Sequence, residues 1–334
     1  MDRASTTAAV REPRLLVVGE LCVDLIIELD GQVRFGQHEQ LVTSTTLTLG
    51  SSSAITACGA ATLGLPTSLV GVRGDDDFGR FIDEQLAQRG VDISAVRVDP
   101  SLPTGASTHL TRPDGDRAIL TSMGSIGAVS AADVPDGLLS EYTHLHVGSY
   151  FLQEALWADA PALFARARSL GLTTSLDGNF DPSEGWDRGI LGLLPHVDVF
   201  FGNEQELCGI TGLPTTDAAV ERLLDIMPAS AIVVCKQGAD GMVAVQRSGR
   251  SLVRVAATTP SLLDPLVDTV GAGDSLAAGF IAARLRGDPI EAAVALAVSC
   301  GTASTRGAGG TGAQPNLATA QALASTVPVT RSES

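Results

Sequence analysis

The feature that most constrains this chain is an alternation. Short runs rich in valine, isoleucine and leucine take turns with alanine-rich runs of helical length. Leu15–Gly19, Thr67–Val72, Leu172–Leu176, Val197–Phe201 and Ala231–Cys235 read as buried strands. Ser53–Leu63, Phe78–Arg89, Ala155–Leu170, a segment from about Glu204, and Thr216–Ile226 read as helices. Gly90 and Gly171 close two of them, because glycine takes the left-handed cap without steric cost. Apolar strands joined through helices predict an α/β fold, a doubly wound, mostly parallel sheet covered on both faces. The chain has 334 residues, 44% of them hydrophobic, enough to bury such a core.

Two stretches break the rhythm. Leu21–Leu49 and Thr104–Ser122 are turn-rich, alternate polar with apolar residues, and hold no good helix. Thr104–Thr111 and Arg117–Ser122 flank Arg112-Pro113-Asp114-Gly115-Asp116, a strong hairpin signal. Inserted strands of this kind predict a small second β-sheet, placed as a lid over the ends of the main strands. Farther on come a strand at Leu252–Ala256, an irregular run Ala257–Pro265, and helices at about Ala272–Arg286 and Pro289–Thr305. A glycine-rich loop, Arg306–Gly312, leads to a last helix near Asn316–Ala324. The expected division is a disordered lead over residues 1–13, one domain over 14–325, and a flexible tail over 326–334.

Acidic residues outnumber basic ones 38 to 22, for a net charge of −16. Such a surface repels phosphate backbones and anionic lipid, which argues against nucleic-acid and membrane partners. An anionic substrate then needs a local positive site, and the chain has a single lysine, Lys236. No apolar stretch is long enough to span a bilayer, and Met1–Pro13 lacks the apolar run of a secretory signal. The five cysteines are odd in number, widely spaced and without a C-x-x-C pair, as expected of reduced thiols in a cytoplasmic protein. His144 and His146 share a strand face and read as core histidines before a zinc pair.

The sharpest motif is Asp268-Thr269-Val270-Gly271-Ala272-Gly273-Asp274, running directly into an apolar helix. A loop nearly free of side chains exposes backbone N–H groups at a helix N-terminus, where they and the helix dipole can hold an anion. Asp274 would stand beside that anion, placed to take a proton from an attacking hydroxyl. The plain alternative is a strand-to-helix turn with Asp274 as N-cap. Other phosphate-binding and nucleophile signatures are missing: no G-x-x-x-x-G-K-[ST], no G-x-G-x-x-G after the first strand, and no G-x-S-x-G.

Asp268–Asp274 resembles the D-T-x-G-A-G-D signature of the ribokinase-like sugar kinases, the PfkB family. Val70–Gly79 resembles the family's G-x-x-G-D-D-x-F-G stretch, Gly202–Glu206 its N-x-x-E region, Val233–Gly241 its K-x-G-x-x-G turn, and Gly312–Pro315 its closing segment. Order and spacing match from about residue 14 to 325.

The resemblance implies a ribokinase-like fold and ATP-dependent phosphorylation of a sugar-like hydroxyl. Asp274 matches the family's catalytic base, and Gly271, Ala272 and Gly273 its anion hole. Asn203 and Glu206 match residues that organise Mg2+ through waters. Lys236, Gly238, Gly241 and Thr269 match the ATP site, as do Asn203 and Gly273. Asp268 with carbonyls of the late loop matches a monovalent-cation site, so K+ activation is expected. Asp24, Gly50 and Ser51 match the acceptor site, with Asp24 accepting from two sugar hydroxyls. Lid strands of the family often pair, which implies a homodimer.

Two departures bear on the acceptor. The family reads G-G-x-x-x-N where this chain reads Gly50-Ser51-Ser52-Ser53-Ala54-Ile55, so an amide is exchanged for isoleucine and serines are added. Asp177-Gly178-Asn179-Phe180-Asp181-Pro182 resembles the D-x-N-x-R segment of acid-sugar kinases without its arginine, which argues for a neutral sugar. A nucleoside acceptor stacked on Tyr150, Phe151 or Phe180 is the alternative within the same fold. A sugar-binding sensor without turnover is the alternative outside catalysis, and the intact base and anion hole argue against it.

Overall fold

Leu15–Val18 (β1) has no exposed face: Leu15 and Val17 enter one hydrophobic core, Leu16 and Val18 the other. A strand meets two cores only inside a sheet with helices on both sides. The computed structural model describes residues 11–114, 116–261 and 264–334 and contains that sheet.

After β1 come β2 (Cys22–Glu28), β3 (Ser44–Leu49), β4 (Thr67–Val70), β5 (Val72–Arg73), β6 (Arg97–Val98), β7 (Gly105–Thr111) and β8 (Arg117–Ser122). The second half supplies β9 (His144–Val147), β10 (Thr173–Asp177), β11 (Val199–Asn203), β12 (Ile232–Lys236), β13 (Met242–Ser248), β14 (Ser251–Ala257) and β15 (Val329–Glu333). The main sheet has nine strands in the order β15-β14-β13-β12-β11-β10-β9-β1-β4. It is parallel from β4 to β12 and antiparallel beyond.

The helices are α1 (Ser52–Thr62), α2 (Asp77–Gln88), α3 (Asp136–Leu139), α4 (Ala160–Ser169), α5 (Ile190–Leu193), α6 (Glu204–Thr211), α7 (Thr216–Ile226), α8 (Ala272–Leu285), α9 (Ile290–Ser304) and α10 (Leu317–Ala324). α1, α2, α8, α9 and α10 share one core with the sheet, and α3 to α7 share the other. α8 and α9 are alanine-rich and buried along most of their length, which permits close packing against each other and the strands.

The lid is a separate four-stranded sheet, β3-β2-β7-β8. β7 and β8 pair antiparallel around the expected hairpin, whose Gly115 lies outside the described residues. The expected disordered lead also lies mostly outside them.

The last residues are not a flexible tail. Val329–Glu333 pairs with β14, and Leu252 exchanges backbone hydrogen bonds with Ser334 at 2.9 and 3.0 Å. Without β15, β14 would present an unpaired edge of backbone donors and acceptors. Two further differences are local. The helix read at Ala155–Leu170 begins at Ala160, with a proline in its first turn, where a missing N–H costs no helical bond. The strand read at Thr67–Val72 divides into β4 and β5, which pairs with β6 instead of the main sheet. His144 and His146 are core residues: Thr173 and Ser175 hydroxyls bond their ring nitrogens at 2.7–2.8 Å, and burial pushes both down to about 3.

Candidate active site

The carboxyl ends of the parallel strands deliver polar side chains to one rim of the sheet, the usual place for a site in this architecture. β10 ends at Asp177, β11 at Asn203 and β12 at Lys236, with Asn203 opposite Lys236 in register. Lys236 Nζ donates to both Asp177 carboxylate oxygens, at 3.1 and 2.8 Å, and lies 3.8 Å from Glu206. The lysine is therefore an ion-paired residue, not a solvated strand end. The two carboxylates raise its pKa against the opposing effect of burial.

The next layer comes from the N-terminus of α8. Gly271, at φ 71°, is its N-cap, and a Cβ there would lie 2.6 Å from Gly310 Cα. Left-handed backbone and close approach together require glycine. Asp274 is thus the third helical residue and not the cap. A Cβ added at Gly273 would sit 3.3 Å from Lys236 Cδ and 3.7 Å from its Nζ, so the lysine lies directly against the glycine loop. The first N–H groups of a helix lack intrahelical partners. Here Ala272 N–H makes only a long contact of 3.3 Å to Thr269 O.

Asp274 is 8% exposed. Burial first, then nearby Asp177 and Glu20, push its carboxyl up to about 7, while Lys236 and the Ser52 hydroxyl oppose them. A carboxylate poised there can exchange a proton near neutrality.

Asp268 clips two loops together. Its Oδ1 accepts from Val270 N–H and its Oδ2 from Gly309 N–H, both at 2.9 Å. A cavity of about 650 Å³ opens beside the lysine. Asn203, Lys236, Gly238, Gly241, Thr269 and Gly273 all line it, together with Thr302, Thr305 and Arg306 and with Arg117 of the lid. Asn203 and Glu206 bond to each other as a capping box: Asn203 Oδ1 accepts from Glu206 N–H at 2.9 Å and Asn203 N–H donates to Glu206 Oε2 at 2.8 Å, with Asn203 Nδ2 donating to Glu206 Oε1 at 2.8 Å besides.

On the opposite side of Asp274 lies the mouth of α1. Asp24 is buried on β2, with His109 Nε2 of β7 at 3.4 Å. Its carboxylate packs so closely on Gly50 that a Cβ there would lie 2.3 Å from Oδ1. Ser51 caps α1: its hydroxyl donates to Glu20 O at 2.5 Å and accepts from Ala54 N–H at 2.9 Å.

These motifs and this architecture decide the family. The pfkB family carbohydrate kinase profile matches residues 12–317. The chain belongs to the PfkB family of carbohydrate kinases. It is 32% identical over 297 residues to an ATP-dependent ribose-1-phosphate kinase of Halopiger xanaduensis, covering 86% of this chain and 89% of that protein. It is also 32% identical over 256 residues to a 2-dehydro-3-deoxygluconokinase of Thermoproteus tenax, covering 72% and 75%. Arabidopsis thaliana ribokinase, solved with ribose and ATP, superposes with a TM-score of 0.80 over 94% of this chain and 99% of that one at 23% identity. The fold is ribokinase-like, and the protein is a phosphotransferase acting on a carbohydrate.

In this kinase several rim residues escaped the sequence reading. Asp177 stood in a quoted segment without a role, yet it holds the only lysine. Glu20 follows β1 and accepts from Ser53 Oγ at 2.6 Å, Ser149 Oγ at 2.9 Å and Gln153 Nε2 at 3.1 Å. Asn179 donates to Ser52 at 2.6 Å and Ser149 at 2.8 Å, tying the added serines of α1 to that network. A carboxylate directly after an apolar strand was the available signal for Glu20 and Asp177. Ile55, in place of the family amide, packs against the glycine loops: Cβ atoms at Gly271 and Gly310 would meet its side chain at 3.0 and 2.2 Å. The stacking candidates fare differently. Tyr150 and Phe151 are buried in the second core, and Phe180 is partly exposed against Trp186.

Proposed function

We propose that this kinase transfers the γ-phosphoryl group of ATP to a hydroxyl of a neutral sugar, with Asp274 as general base. The observation that carries the reading is the position of Asp274. It is buried in the first turn of α8, beside the Gly271–Gly273 loop and Lys236, and its carboxyl bonds Ser52 of α1, two residues from the Gly50 on which Asp24 packs.

In this reading the acceptor hydroxyl points at Asp274 and is held by Asp24 through its ring hydroxyls. Asp274 removes the hydroxyl proton as the oxygen attacks. The N–H groups of Gly271, Ala272 and Gly273, with the α8 dipole, stabilise charge on the transferring phosphoryl group. Lys236, oriented by Asp177, faces the phosphates, and Gly238, Gly241 and Thr269 line the nucleotide channel.

Among the described residues no three His, Cys, Asp or Glu side chains converge as a preformed metal cage. Asn203 lines the cavity and Glu206 is bonded directly behind it, an amide and a carboxylate that fit Mg2+ retaining its waters. When bound, the ion supplies charge neutralisation on the phosphates.

Relatives carry the names of both neutral and anionic acceptors, so the support for a neutral one comes from the local chemistry. Asp24, Glu20, Asp274 and Asn179 gather at the acceptor side, and the residues after Asn179 hold no arginine before Arg188. That donor-and-acceptor set suits hydroxyls and repels a carboxylate or phosphate. The burial of Tyr150 and Phe151 further disfavours a stacked nucleobase. A coupled ADP-release assay across neutral sugars, acid sugars, sugar phosphates and nucleosides tests this, and a clear preference for an anionic acceptor would overturn it.

The outer lid face aligns Leu47, Leu25, Thr108 and Leu120 across its strands, and Leu47 and Leu120 are exposed. This supports a homodimer through the lid, testable by light scattering. The free cysteines, four of them buried, support a reducing, cytoplasmic setting. No helix among the described residues is long and apolar enough to cross a membrane.

A further inference from the structure

A polyphosphate needs positive charge, and the chain's only lysine is already paired with Asp177. Two other cations line the same cavity, Arg306 after α9 and Arg117. Arg117 belongs to the lid, as the first residue of β8.

The lid register explains its direction. Asp24 stands opposite Ser107, and Ser107 opposite Thr121. Side chains alternate along a strand, so Asp24, Ser107, Thr121 and Arg117 share one face. Arg117 lies four residues from Thr121, roughly 13 Å along the strand. One face of one small sheet therefore carries Asp24 at the acceptor end and Arg117 at the cavity end.

The guanidinium is held loosely. Its Nη1 lies 3.7 Å from Asp268 Oδ1, beyond hydrogen-bond length, and both Asp268 oxygens already accept backbone N–H groups. Arg306 also lines this cavity, and its Nε is buried with no partner among the described residues. Both arginines line one cavity, and among the described residues neither guanidinium makes a close ion pair.

We propose that Arg117 is a phosphate ligand of the bound nucleotide, carried on the acceptor lid, so that the lid's contacts to acceptor and to nucleotide form together. The proposal rests on reading the cavity as the nucleotide site. A guanidinium fork matches two phosphate oxygens better than an ammonium does. Because the coupling is reciprocal, acceptor strengthens nucleotide binding by the same factor that nucleotide strengthens acceptor binding.

Calorimetric titration of the full chain and of Arg117→Ala with AMP, ADP and a non-hydrolysable ATP analogue with Mg2+, with and without saturating acceptor, tests this. The side chain is one-third exposed on an edge strand, and the thermal midpoint checks that the variant folds. The expected result is analogue affinity lowered by about ten-fold or more, AMP affinity unchanged, and mutual enhancement lost. Arg117→Lys should fall between the two. Unchanged analogue affinity, equal losses for AMP and analogue, or a changed acceptor preference with normal nucleotide binding would each overturn the assignment. If the wild-type chain bound no nucleotide at all, the reading of the cavity would fall first and the role of Arg117 with it.

Discussion

Lys236 reaches across the end of β11 to hold both carboxylate oxygens of Asp177, at 2.8 and 3.1 Å, while its stem lies against Gly273. The pair sets the local field of the whole rim. Without the lysine, Asp177, Glu206 and Asp274 would be buried carboxyl groups with no counter-charge. With it, one ammonium faces the glycine loop in a fixed position.

Lys236→Met should raise the KM for ATP more than the KM for the acceptor. It should also lower the thermal midpoint, because breaking a buried ion pair from one side costs on the order of 3–5 kcal/mol. Adding Asp177→Asn should restore much of the stability but not the ATP affinity. Recovery of both by the double variant would show that the lysine serves packing alone.

Asp274→Asn should lower kcat by about 10²–10⁴-fold and leave ATP binding largely intact, since the amide keeps the shape but cannot take a proton. In the wild-type kinase, kcat/KM should fall on the acid side of about pH 7, where the raised carboxyl becomes protonated. Stability carries the opposite sign. Between about pH 4 and 7 the folded chain binds a proton that the unfolded chain has lost, so ionised Asp274 becomes progressively more costly and reaches a plateau above pH 7. The Asn variant should therefore unfold at a higher temperature than wild type at pH 8, with a smaller difference at pH 5. Near-normal kcat in the variant would remove Asp274 from its role.

Asp24→Ala should weaken acceptor binding by roughly ten- to a hundred-fold, as hydrogen bonds to a buried carboxylate are lost. Gly50→Ala should do similar damage without touching a polar group, because the new methyl would displace the Asp24 carboxylate. ATP affinity should hardly change in either. Calorimetry with the best neutral acceptor decides; an Asp24→Ala variant with unchanged acceptor affinity would place the acceptor elsewhere.

Exchanging K+ for tetramethylammonium should slow turnover, because Asp268 links the Val270–Gly273 loop to the Gly309 loop and a cation at its carboxylate would steady both. Asp268→Ala should abolish the response to K+. Equal rates in both salts would remove the monovalent-cation site.

Much of this protein is encoded within short windows of chain. Leu15–Val18 is apolar at every position, which a helix-covered parallel sheet satisfies, and the helices around it follow from local composition and glycine stops. Gly271 needs a left-handed backbone, and the residues after it must begin a helix, so the glycine loop and the place of Asp274 in the first turn follow from a seven-residue motif. Alternation and turn chemistry around Arg112–Asp116 likewise made the lid hairpin legible. Such features depend on backbone sterics and on the period of apolar residues, which act over a few residues.

Partnerships across the chain were decided only by the tertiary structure. Lys236 and Asp177 are 59 positions apart and meet because β10, β11 and β12 end together. Val329–Glu333 is too polar to announce itself as a strand, yet β14 offers it a row of backbone partners. Tyr150 and Phe151 were candidates for a binding surface until packing placed them in the second core. Arg117 reads in isolation as a hairpin charge, and only the lid's register turns it toward the cavity. Strand order, register and burial are properties of the whole packed chain, and they determine which side chains meet at the rim of the sheet.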